Sequence, residues 1–125
     1  MAKRKVTNLT DVSEITCVVQ KGKADDIVQS LLDAGIQGAT VHSGVGTGIR
    51  ERMGLLGVAV EVEREIVQVL VSKDQVDRIF ERMYLAGRLD TPGMGYIYAA
   101  PLVQAATYIP AHLLEDKDSL SSLGV

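Results

Sequence analysis

Apolar residues along this chain switch between two spacings, and the switch happens twice. Ile15-Thr16-Cys17-Val18-Val19 is a near-continuous apolar run of strand length, which places a first strand at about 14–20. From about Lys23 to Ala34, Ile27, Val28, Leu31 and Leu32 recur at helical spacing. Asp25 and Asp26 sit in the first turn, where the helix dipole favours anions, and Gly35 is the stop. Shifting the chain by 52 positions lays residues 15–21 over 67–73 and runs without a gap to Ala34-Gly35 over Ala86-Gly87. Val19/Val71, Lys21/Lys73, Asp25/Asp77 and Ile27/Ile79 coincide, as expected of βαβ halves built alike. Chance likeness of amphipathic βα units would leave the architecture the same. The second helix carries the capping-box pattern Ser72-Lys73-Asp74-Gln75, an apolar stripe of Val76, Ile79, Phe80, Met83 and Tyr84, and Gly87 as its stop.

Strands at 39–43 and 95–99 complete the halves, and a short strand near 104–108 follows Pro101. The expectation is an α+β, ferredoxin-like βαββαβ sandwich with both helices on one face and a long loop between the second and third strands. The alternation over residues 58–71 changes phase near Arg64–Ile66. Val58, Val60 and Val62 share one face, whereas Val67, Val69 and Val71 share the other. Two pieces are therefore expected, with 67–71 as the core strand and the earlier piece as the flank of an excursion over 45–65. Excursions of that length inside compact domains are usually functional or disordered.

The excursion opens with Ser43-Gly44-Val45-Gly46-Thr47-Gly48-Ile49-Arg50-Glu51-Arg52. Alternating glycines admit close backbone approach and point amides at an anion, and Arg50 and Arg52 could add charge. The spacing is neither a dinucleotide fingerprint nor a P-loop. A glycine hinge with solvated arginines fits the same residues. A second glycine turn, Arg88-Leu89-Asp90-Thr91-Pro92-Gly93-Met94-Gly95-Tyr96, stands at the matching end of the other half.

At 125 residues the chain makes one domain. Phe80 is its only phenylalanine and tryptophan is absent, a thin core that invites oligomerisation. Net charge of −3 gives no electrostatic support for nucleic-acid binding. The basic start lacks the apolar stretch of a signal peptide, no segment is long enough to insert in a bilayer, and the single Cys17 fits a reducing cytoplasm. His42, His112 and Cys17 lack metal-site spacing. Glu61, Glu63 and Glu65 read as a solvated edge, and no nucleophile–base pairing suggests an enzyme. Residues 1–13 and 111–125 read as flexible ends around a domain at 14–110.

From about Ile15 to Ile109 the residues resemble the PII signal-transduction family, trimeric regulators with a ferredoxin-like core. The resemblance is carried by Gly35-Ile36-Gln37-Gly38-Ala39-Thr40-Val41, by Gly46-Thr47-Gly48 opening what would be the T-loop, and by Gly93-Met94-Gly95 in what would be the B-loop. It implies a cytoplasmic homotrimer with no obligatory cofactor, whose inter-subunit clefts bind a small effector, with ADP, AMP or ATP as candidates. Gly38, Thr40, Gly46, Gly48, Arg50, Arg88, Gly93, Met94, Gly95 and Tyr96 would line the nucleotide. The T-loop residues Ile49, Arg50, Arg52, Met53, Leu55 and Leu56 would meet a membrane transporter or a soluble enzyme. The family's B-loop lysine is replaced by Tyr96, its paired arginines by Thr107 and Ile109, and its post-glycine arginine–glutamine by Ile49-Arg50. Losing those cations shifts the expected preference from ATP toward ADP or a monophosphate, with Thr40 near the base and Gly48 and Gly95 near phosphates. The alternative is a trimeric metal-binding protein of the CutA type, with the same fold and no nucleotide.

Overall fold

The computed structural model describes residues 4–47 and 61–113. In chain order it holds β1 (Asn8–Leu9), β2 (Val12–Gln20), α1 (Ala24–Asp33), β3 (Thr40–Thr47), β4 (Glu61–Ser72), α2 (Val76–Ala86), β5 (Gly95–Pro101) and β6 (Ala105–Ala106). A 3₁₀ turn, Lys73–Gln75, leads into α2 and another covers Ala111–Leu113. The main sheet is antiparallel and four-stranded, in the order β3-β4-β2-β5, and β1 pairs with β6 in a separate ladder. This is the expected α+β, ferredoxin-like order.

Strand alternation decides where the core sits. Ile15, Cys17 and Val19 of β2 and Val67, Val69 and Val71 of β4 point to one face, where Ile27 and Leu31 of α1 and Ile79 and Met83 of α2 close over them. All ten are essentially fully buried. Each large aliphatic side chain contributes roughly 1.5–3 kcal/mol by leaving water, which makes this layer the main source of stability. Among the described residues, no helix covers the opposite face. On it stand Thr16 and Val18 of β2, Ile66, Gln68 and Leu70 of β4, and Tyr96 and Tyr98 of β5, the tyrosines 60% and 49% exposed.

Helix α1 is completed by other elements. Its N-terminal amides are met by Glu65 of β4, whose Oε1 accepts from the N–H of Gly22 and from that of Ala24 at 3.3 Å. Its last turn carries no basic residue, and α2 supplies the cations. Arg82 Nη1 donates to the Ser30 carbonyl at 3.3 Å and Arg78 Nη1 reaches the Ala34 carbonyl at 3.5 Å. Gly35, at φ 87°, then takes the left-handed conformation that lets the chain leave the helix.

Four expectations are corrected. The excursion does not begin at Val45 or end at Glu65, because β3 and β4 stay paired from Thr40↔Gln68 to Thr47↔Glu61, leaving only residues 48–60 between them. Nor does β4 break at the phase change. Glu63 and Glu65 share the strand face of Val67 but lie past the helices, where that face needs no apolar residue. Glu63 and Glu65 are also more than a solvated edge, since Glu63 pairs with Lys21 at 2.9 Å and Glu65 caps α1. Finally, residues 8–13 are not a flexible lead-in, because β1 is paired and Val12 and Ser13 are buried.

Burial pushes the Cys17 thiol up to about 11 from an ordinary 9.0. The folded state therefore holds this proton more tightly than the unfolded chain does. The associated stability is complete below pH 9.0 and is lost as pH rises toward about 11. Denaturant midpoints measured across that window should fall more steeply in the wild type than in Cys17→Val. Alkylation of the native protein at neutral pH should track global unfolding.

Candidate ligand-binding site

The glycine-rich segments of the two halves meet the same end of the sheet. Gly44 of β3, Arg64 of β4 and Gln20 of β2 form one row across the strands, and Gln20 Nε2 donates to the Gly93 carbonyl at 3.0 Å. The second turn has its own local logic. Thr91 accepts the Met94 N–H at 3.3 Å, and Pro92 and Gly93 occupy the central positions with Gly93 at φ 83°, the pattern of a type II turn. Arg88, exposed and at φ 54°, hands the chain from α2 to this turn and accepts the Thr91 N–H at 2.9 Å.

Gly95 is held by the fold rather than by an incoming ligand. It lies opposite Val19 at φ 139°, and a Cβ there would stand 1.9 Å from the Val18 carbonyl oxygen. The sequence expectation that Gly95 serves close approach of phosphate is corrected accordingly, because β2 already fills that space. Tyr96 follows on the bare face, stacked on Tyr98 with centroids 6.4 Å apart and planes 18° from parallel.

Gly38 and Thr40 lie elsewhere. They line a cleft of about 660 Å³ at the start of β3, together with Glu14, Gln68 and the segment Thr107-Tyr108-Ile109. A Cβ at Gly38 would meet nothing within 4 Å, so backbone there is open to close approach. Thr40, Gln68, Thr16 and Tyr98 form one row across the sheet. Thr40 is thus separated from Gly44 by about 13 Å along β3, and β3 from β5 by about 14 Å across the strands. One protomer does not bring Gly38 and Thr40 together with Gly93, Met94, Gly95 and Tyr96.

Gly46 pairs with Val62 near the end of the β3–β4 ladder. Gly48, Ile49, Arg50, Arg52, Met53, Leu55 and Leu56 lie outside the described residues.

Charge is divided between the two places. The cleft at Thr40 contains the carboxylate of Glu14 and, among the described residues lining it, no cation. The cations stand at the glycine end, where Lys21 and Arg64 line a smaller cavity of about 210 Å³ with Ser43, Gly44 and Glu63. The Glu63 carboxylate, hydrogen-bonded to Lys21, holds that ammonium above its ordinary pKa. Glu14, Gln68, Lys21 and Arg64 were missed as site residues in the sequence. Each sits in a strand or tight turn whose polar positions look like ordinary solvated surface. Among the described residues no group of three or more His, Cys, Asp or Glu could hold a metal ion, and no helix is long and apolar enough to cross a membrane.

The family model for nitrogen regulatory protein P-II matches residues 12–110. The chain belongs to the P-II family. It is 31% identical over 97 residues to the nifHD-region GlnB-like protein 1 of Methanothermococcus thermolithotrophicus, covering 74% of this chain and 90% of that protein. Arabidopsis thaliana PII in a citrate-bound crystal structure superposes with a TM-score of 0.57 at 23% identity, covering 74% of this chain and 78% of that one. Bacillus subtilis GlnK in its ATP complex gives a TM-score of 0.60 at 21% identity, covering 73% and 81%. Within this P-II fold, Gly95 is fixed by packing and the backbone at Gly38 faces open space.

Gly95→Ala should therefore act on stability before any ligand is added. Strain at positive φ together with the backbone clash should cost about 2–4 kcal/mol, read as a lowered midpoint in chemical denaturation. Gly38→Ala should leave the midpoint within about 1 kcal/mol of wild type, the ordinary cost of a tolerated glycine change.

Proposed function

We propose that this P-II family protein is a cytoplasmic homotrimeric regulator that binds an adenine nucleotide in clefts between neighbouring copies. The carrying observation is that the candidate site is split. Gly38 and Thr40 stand at one corner of the sheet, and the Gly93–Tyr96 turn stands at the diagonally opposite one. A ligand that touches both must lie between copies. The bare sheet face, with Tyr96, Tyr98, Ile66 and Leu70, supplies the surface by which copies would pack around an axis.

Polarity orients the ligand in this proposal. Glu14, Gln68 and Thr40 suit the hydrogen-bonding edge of a base or the hydroxyls of a ribose and repel phosphate. Phosphates belong at the glycine end, with Lys21, Arg64 and the Gly46–Gly48 and Gly93–Met94 backbone. Arg50 and Arg88 complete the charge on this reading. So few cations favour ADP or AMP over ATP. The T-loop segment with Ile49, Arg50, Arg52, Met53, Leu55 and Leu56 then docks on or leaves a transporter or soluble enzyme according to the nucleotide bound.

Calorimetric titration with ATP, ADP and AMP, paired with sedimentation equilibrium, tests the proposal. Expected are a trimer and binding in which ADP or AMP equals or exceeds ATP. Gly38→Val should weaken binding at least tenfold, about 1.4 kcal/mol, without unfolding the protein. A folded monomer, or silence toward all three nucleotides, would overturn it.

A further inference from the structure

Nothing in the sequence sets Gln20 apart, yet its side chain crosses to the glycine turn 73 residues further along the chain. The Gly93 carbonyl can only accept, so the amide nitrogen of Gln20 faces it, at 3.0 Å, and the amide oxygen faces away. Gln20 is itself firmly placed. It ends β2 opposite Arg64, and its own carbonyl accepts the Lys23 N–H at 3.1 Å in the turn to α1.

What this bond does follows from how the glycine turn is held elsewhere. The exit of the turn is set by Gly95, which lies against the Val18 carbonyl, and its entrance by the Thr91 N–H donating to the Arg88 carbonyl at 2.9 Å. Between them the Gly93–Met94 peptide is held at both ends. Its N–H donates to the Thr91 carbonyl at 3.3 Å, and its C=O accepts from Gln20 at 3.0 Å. The first distance lies beyond the usual range for an N–H···O bond and the second lies inside it, so Gln20 is the stronger restraint. Gly93, at φ 83° and with nothing within 4 Å of the place a Cβ would take, has no steric wall to keep it there. The fold does not depend on the bond. It is exposed, and β5 is already in register with β2 along its whole length, from Ser13↔Pro101 to Val19↔Gly95. With the Met94 N–H closing the turn, the Gly93 N–H takes no part in the turn's own hydrogen bond and is the amide left for a ligand.

We propose, on the nucleotide reading above, that Gln20 is a positioning residue for phosphate binding and acts through the Gly93 carbonyl. Holding that carbonyl fixes ψ at Gly93, and so the angle between the two peptides that meet there. That angle sets where the Gly93 N–H points. Gln20 itself does not touch the ligand.

The test compares the wild type with Gln20→Met, which keeps the length of the side chain, adds no charge and cannot donate. ADP and adenosine are titrated into each protein, and the water-exchange rates of the backbone amides are measured by NMR without ligand. Gln20→Met should bind ADP roughly three- to tenfold more weakly, the range for one neutral hydrogen bond. Adenosine, which has no phosphate, should bind both proteins equally. In ligand-free Gln20→Met the Met94 amide should exchange faster, while those of Val67 and Val69 stay as in the wild type. Equal ADP affinity in the two proteins would overturn the positioning role and leave the nucleotide reading standing. So would an equal loss for ADP and adenosine, which is what a general structural defect gives. A loss for ADP with unchanged exchange at Met94 would make Gln20 a direct ligand contact, and the positioning role would again be wrong. Silence of the wild type toward both ligands would overturn the nucleotide reading itself, and this role with it.

Discussion

Everything in this fold hangs on the antiparallel ladder between β2 and β4, which pairs the whole of β2 from Val12↔Ser72 to Gln20↔Arg64. That register puts Ile15, Cys17 and Val19 on the same face as Val67, Val69 and Val71, and so creates the surface on which both helices rest. A slip of one residue would keep one strand's apolar set on the helices and turn the other's outward, exposing either Ile15, Cys17 and Val19 or Val67, Val69 and Val71. The same register fixes matters beyond the core. It carries Glu65 to the start of α1, places Arg64 between Gly44 and Gln20, and commits the opposite face to a surface no helix covers.

Function in this P-II family protein follows from the geometry of that sheet more than from any single residue. Thr40 and Tyr96 belong to opposite edge strands, β3 and β5, so the distance between them is set by the strands in between. Charge follows the same diagonal, with Glu14 at one corner and Lys21 and Arg64 at the other. A ligand with a polar, uncharged end and an anionic end suits such a surface.

Sheet order and helix placement were legible because burial imposes a period, and Ile27/Leu31 and Ile79/Met83 keep it faithfully. The continuous β4 was not legible. Glu63 and Glu65 occupy core-facing positions past the edge of the helices, where periodicity no longer reports burial. Strands β1 and β6 carry no pattern at two residues each and exist only as partners of one another. In the site, the sequence located Gly38 and Thr40 in a real cleft and missed Glu14 and Gln68, which look like the exposed half of any alternating strand. It also placed Gly95 with the ligand, since a glycine's letter does not say whether its open side faces a small molecule or a neighbouring strand.

That difference bears on how such proteins can diversify. Gly95 is pressed against the Val18 carbonyl, so descent cannot explore other residues there whatever effector is favoured. Gly38 looks into open space, and its neighbours Thr107 and Tyr108 are exposed. A side chain added at the β3 corner would enter open space, whereas one added at the β5 corner would have to displace β2.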